Sequence, residues 1–152
     1  MGIDRATLEQ CFDTMKLSES IWERIQRLRS RMESVTPSYK AIGGRGSDVA
    51  DKVGNGVVAL DSLIRQFDAE TTEYARLAAD VNEAIQLLKD PRHRNIMGLR
   101  YLDGLNWDDV ADRAGYSVDH CYRLNREAMM EMGMVERPSN VEGALLAGSE
   151  RA

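Results

Sequence analysis

Two histidines, two cysteines and one pair of adjacent aspartates have the most obvious chemical reach in this 152-residue sequence. His93 and His120 stand far apart, and Cys11 and Cys121 form no C-x-x-C, so zinc-ligand spacing is absent. The glycines around Gly43, Gly44 and Gly46 lack the spacing of a phosphate loop and the strand that should precede it. Asp108 and Asp109 open a helix, where acids favour its dipole. Cys121 falls on a packed helix face, the setting of an inert thiol. The expectation is a protein that is not an enzyme, with no cofactor and no metal. Ser117, His120, Tyr122, Arg123 and Arg126 remain, with Val118 and Asp119 beside them on the outward side of one helix. Their hydroxyl, imidazole, phenol and guanidinium groups suit phosphates and base edges of double-stranded DNA.

Those residues need a frame, and WDDVADRAGYSVDHCYRLNR supplies the pattern of a helix-turn-helix. A small residue, Ala111, stands where two helices cross. Four residues later Gly115 can take the positive φ of the turn. Val110, Ala114, Tyr116, Cys121 and Leu124 are apolar at the positions that face inward, and Ser117 caps the second helix. The N-terminal half of that helix is the part expected to enter a major groove. Arg123 can read guanine or hold phosphate, and Asp119 can accept from cytosine N4. Residues 91–126 carry six arginines against five aspartates, a net +1 with the histidines neutral, so this region alone predicts weak binding.

Ahead of it lie two longer helical patterns. Leu8, Cys11, Phe12, Met15, Ile21, Trp22, Ile25, Leu28, Met32 and Val35 recur mostly at threes and fours, with Glu19, Glu23, Arg24, Arg27 and Arg31 largely off the stripe. Pro37 is expected to end this helix at Thr36, leaving 36–47 as a flexible connection. From Asp48, expected as a cap, Val49, Val53, Val57, Leu60, Ile64, Phe67, Thr71, Tyr74, Ala78, Val81, Ile85 and Leu88 alternate threes and fours. That is the seam period of a coiled coil, ending at Lys89-Asp90-Pro91. Gly54 and Gly56 are expected to let the first turns fray. Neither stripe can be buried alone, so an antiparallel hairpin or a dimer follows. Pro91 opens a further short helix, Asp103-Gly104 breaks it, and Asn106 caps the next.

The expected architecture is therefore all-α. Residues 1–90 form a long helical hairpin, 91–132 a helix-turn-helix domain and 133–152 a mobile tail. With 43% hydrophobic and 30% charged residues, 20 basic and 25 acidic, the chain can bury a core and is not a polycation. Two cysteines make no disulfide framework, no apolar run approaches the ~20 residues of a membrane span, and no secretory signal is visible. A soluble, cytoplasmic protein without a membrane partner is expected.

Residues 92–130 resemble region 4 of bacterial sigma factors. Arg100, Tyr101 and Gly104 match its Arg-Tyr-x-x-Gly segment. Trp107, Asp109, Val110 and Ala111 match Trp-x-Glu-Ile-Ala with Asp for Glu. Gly115, Tyr116 and Ser117 match the turn, and Arg126 with Ala128 the closing Arg-x-Ala. With the long helices in front, residues 1–132 are similar to the small phage regulators of the RinA/ArpU type. The resemblance implies a phage transcriptional regulator that binds promoter DNA through Ser117, His120, Tyr122, Arg123 and Arg126, with contact to host RNA polymerase. It would act in the host cytoplasm and form a homo-oligomer through the long helices. Asp119 departs from the pattern by adding a negative charge to that face. Two other readings share the composition: a phage small terminase subunit that binds packaging-site DNA as a ring, and a polymerase-binding module that does not touch DNA.

Overall fold

A computed structural model describes residues 2–42 and 46–134, with side chains outside 35–49. The described chain is all-helical: α1 Arg5–Ile42, α2 Gly46–Gln86, α3 Pro91–Met97, a π-helical turn Gly98–Leu102, α4 Trp107–Ala114 and α5 Val118–Glu131. No described helix is long and apolar enough to cross a membrane. The tail expected at 133–152 lies outside the described residues from 135 onward.

Contacts divide the chain into two compact units, Asp13–Arg76 and a second that joins Met1–Phe12 to Leu77–Ala152. In the Asp13–Arg76 unit, α1 and α2 run antiparallel. Trp22 meets Phe67 with ring centroids 5.4 Å apart, and Met32 meets the backbone of Gly56. A Cβ at Gly56 would come within 3.2 Å of the Met32 side chain, so this glycine permits a close helix approach where fraying was expected.

Two boundaries differ from expectation. Helix α1 continues past Pro37 to Ile42, and α2 begins at Gly46 rather than behind a cap at Asp48. Proline's fixed φ is compatible with a helix of 38 residues, although an interior proline removes one amide donor and crowds the carbonyl four residues before it. Of the connection expected over 36–47, residues 36–42 and 46–47 are helical, and 43–45 lie outside the described residues.

The seam of α2 also differs. Val57 and Ile64, expected inside it, are 53% and 48% exposed. Leu63 is half-buried, and Leu77 is buried in the other unit. Val53, Leu60, Phe67 and Tyr74 of the expected seam stay half-buried, and the covered face is completed by Gly56 and Leu63, one position before Val57 and Ile64.

The second unit carries most of the buried apolar residues. Leu8 and Cys11 from α1, Leu77, Val81 and Ile85 from α2, Ile96 and Met97 from α3, and Ala128 and Met129 from α5 are all buried. Asp4 caps α1 by accepting from the Thr7 amide at 2.8 Å. Asp90 caps α3 by accepting from the Arg92 amide at 2.9 Å, with Pro91 in the first turn. The Arg94 guanidinium donates to the Leu88 and Lys89 carbonyls, in the segment between α2 and α3. The π turn closes with the Asp103 amide on the Gly98 carbonyl, and Gly104 leaves it at φ +68°.

Candidate nucleic-acid interface

The helix-turn-helix is built from local backbone signals. The Asn106 side chain accepts from the Asp109 amide at 2.9 Å, satisfying one orphan donor at the start of α4. Gly115 ends that helix at φ +76°, ψ +29°, and its amide and that of Tyr116 both donate to the Ala111 carbonyl. A left-handed residue here closes the last turn and redirects the chain. Ser117 then caps α5, its Oγ accepting from the His120 amide at 3.1 Å. Residues 107–126 are thus two helices with a corner between them.

At the crossing, Ile96, Val110, Ala111, Cys121 and Leu124 form a buried cluster. Ala114 and Tyr116 pack against it while staying partly exposed. Val118, expected outward, also packs on this cluster. It sits three residues before Cys121, on the edge of the inward face. Burial raises the Cys121 thiol above its ordinary value.

Helix α5 is held from behind by polar contacts. The Asn125 amide donates to the Tyr101 hydroxyl at 3.3 Å, and burial raises the Tyr101 phenol. His93 Nε2 lies 3.0 Å from a Glu127 carboxylate oxygen and 3.8 Å from Asp90, and its Nδ1 lies 4.0 Å from Glu131. The hydrogen bond with His93 is the main reason that the Glu127 carboxyl is lowered. Among the described residues, no group of three or more His, Cys, Asp or Glu side chains could hold a metal ion.

The five expected site residues lie along the exposed side of α5. Ser117, Tyr122, Arg123 and Arg126 are exposed, and His120 is half-buried. His120 and Arg123, three residues apart, hydrogen-bond to each other, and the His120 ring meets Tyr116 edge-on at 4.7 Å. Tyr122 meets the Trp107 ring of α4 edge-on at 5.0 Å. Two of the five are thus braced by aromatic residues of the turn or of α4, which limits their rotamers before any ligand arrives.

A family model described as "Protein of unknown function (DUF1492)" matches residues 36–133. The chain belongs to this family. No curated protein matches it, and no solved structure matches it. The DUF1492 match takes in the end of α1 and all of α2, α3, α4 and α5, so the helix-turn-helix lies wholly inside it.

In this DUF1492 chain the arginines of residues 91–126 have divided tasks that a charge count hides. Arg92 pairs with Asp90 at 2.8 Å, and Arg94 is occupied with carbonyls at the end of α2. The Arg100 guanidinium lies over the Phe12 ring at 3.9 Å and faces the Trp107 ring at 4.7 Å, donating to the Leu105 carbonyl at 3.0 Å. Sequence reasoning counted Arg100 only as a family match and a charge. The approach of Phe12 from 88 positions away in the chain leaves no local signal. Arg113, Arg123 and Arg126 are the exposed arginines of α4 and α5.

Proposed function

We propose that this DUF1492 chain is a non-catalytic, double-stranded-DNA-binding transcriptional regulator of the phage type. It reads DNA through α5 and contacts host RNA polymerase in the host cytoplasm. The carrying observation is the α4–Gly115–α5 corner, which leaves Ser117, Tyr122, Arg123 and Arg126 on one exposed helix behind a buried crossing. The resemblance to sigma factor region 4 and to RinA/ArpU-type regulators supports the same reading. Trp107 lies against Tyr122, and Arg100 steadies Trp107, so matched positions are joined by contact. Arg123→Ala is expected to weaken duplex binding at fixed salt while far-ultraviolet circular dichroism stays at the parent value. An unchanged dissociation constant removes Arg123 from the contact set. Footprinting across the genome of the native host identifies the operator.

Self-association through the long helices is supported by the exposure of Val57, Ile64 and Trp22 on the Asp13–Arg76 unit. The same exposure favours, as a second reading, a small terminase subunit that recognises packaging-site DNA. A ring of many subunits in a solution mass measurement selects packaging, and a monomer or dimer selects transcription.

A further inference from the structure

The Asp13–Arg76 unit carries a cationic row that the helix-turn-helix reading does not use. Arg24, Arg27, Arg29 and Arg31 are all exposed on α1, and residues 24–32 contain no acid. Four other basic side chains on the two long helices are paired along their own helix: Arg5 with Glu9, Lys16 with Glu19, Arg65 with Asp61, Arg76 with Glu73. None of the four arginines has such an ion pair among the described residues, although Glu23 stands one turn before Arg27 and Glu33 two residues after Arg31.

Spacing places three of them together. Ile21 and Ile25 are buried and Leu28 and Met32 half-buried, which fixes the packed side of α1. Arg24, Arg27 and Arg31 recur at three and four, so they share one flank outside that side. Trp22, which packs on Phe67, is displaced from Arg24 by two residues and lies on the other flank. The row is about 10 Å long at 1.5 Å per residue. Over that distance one strand of a duplex presents about three phosphates. Three guanidinium groups at this pitch, without counter-charges of their own, complement a polyanion. Arginine suits phosphate through its planar fork of donors.

We infer that Arg24, Arg27 and Arg31 form a second, sequence-independent contact to the DNA phosphate backbone. The inference rests on the DNA-binding reading and extends it. Residues 91–126 have a net charge of only +1, and Arg92, Arg94 and Arg100 there are engaged within the protein. Most of the salt-dependent affinity must then come from elsewhere in the chain. The α1 row supplies it, while α5 supplies choice of sequence.

The test is the salt dependence of full-chain binding to a random-sequence duplex. The variants are Arg24→Gln/Arg27→Gln/Arg31→Gln, the same three positions changed to Lys, and Arg123→Ala/Arg126→Ala. Loss of three phosphate contacts is expected to flatten the log–log salt slope by about 2.7, at about 0.9 per contact. The Lys variant, which keeps the charge, is expected to retain the parental slope. Helical content and melting temperature should match the parent, because these side chains are exposed. If the Gln variant keeps the parental slope while the Arg123/Arg126 variant binds more weakly, the α1 contact is wrong and the α5 reading stands. If the parent itself shows no salt-dependent binding, both readings fall. If the Gln variant instead changes the mass in solution without changing the slope, the row meets a second copy of the chain and the inference is overturned.

Discussion

The Arg100 guanidinium lies 3.9 Å from the centre of the Phe12 ring, and the same group faces Trp107 at 4.7 Å. One cation thereby joins the first turns of α1 to the start of α4. It also donates to the Leu105 carbonyl, just past the π turn. Each cation–π contact contributes about 0.5–2 kcal/mol according to its exposure. Arg100→Ala is therefore expected to destabilise the protein by about 1–3 kcal/mol. Arg100→Lys should recover only part of this, because an ammonium lacks the flat face that stacks on both rings. Urea denaturation of the three proteins checks the order.

The corner between α4 and α5 gives two stability predictions with different causes. Gly115 sits at φ +76° with open space around a built Cβ, so Gly115→Ala is opposed by backbone strain alone, about 1 kcal/mol. Ala111 is 6% exposed within the crossing cluster, so Ala111→Leu overpacks it at about 1–3 kcal/mol. Thermal melts indistinguishable from the parent would remove these two residues from the roles assigned.

Acid should weaken the C-terminal helices in a defined way. The Arg92 side chain and amide hold the Asp90 carboxyl at about 2, below its ordinary 3.8. A carboxyl lowered by folding adds stability above its unfolded value and loses it as pH falls through the folded one. Melting temperature is thus expected to fall between about pH 4 and pH 2. Glu127, lowered chiefly by His93, contributes in the same direction. Asp90→Asn keeps a capping oxygen without the charge, so its melting temperature should change less with pH over that window. Equal slopes for the two proteins would exclude Asp90 as a source.

Both thiols are expected to be inert in the folded protein. Burial raises Cys11 to about 11 and Cys121 in the same direction. Thiolate is the reacting form, so iodoacetamide near pH 8 should leave both unmodified by mass spectrometry. Guanidinium should expose both to rapid alkylation. Modification of Cys121 under native conditions would mean that the crossing opens readily.

The caps and corners were legible because each depends on residues within one helical turn. Asn106, Gly115 and Ser117 satisfy amides or carbonyls three or four positions away, and nothing distant can replace those partners. The same locality made Val110, Ala111, Cys121 and Leu124 readable as the crossing, and Ser117, Tyr122, Arg123 and Arg126 as its exposed side. Tertiary packing decided matters in which two local solutions were nearly equal. On α2, Gly56 and Leu63 are half-buried beside α1, and Val57 and Ile64, one position on, are left exposed. Gly56 became a point of helix contact because Met32 lies against it, whereas Gly54 meets nothing within 4 Å. Arg92, Arg94 and Arg100 are alike to a charge count, but Asp90, the end of α2 and the Phe12 and Trp107 rings take up one each. Backbone satisfaction is short-range and written in neighbouring residues; the partner of a side chain depends on segments brought together only when the chain folds.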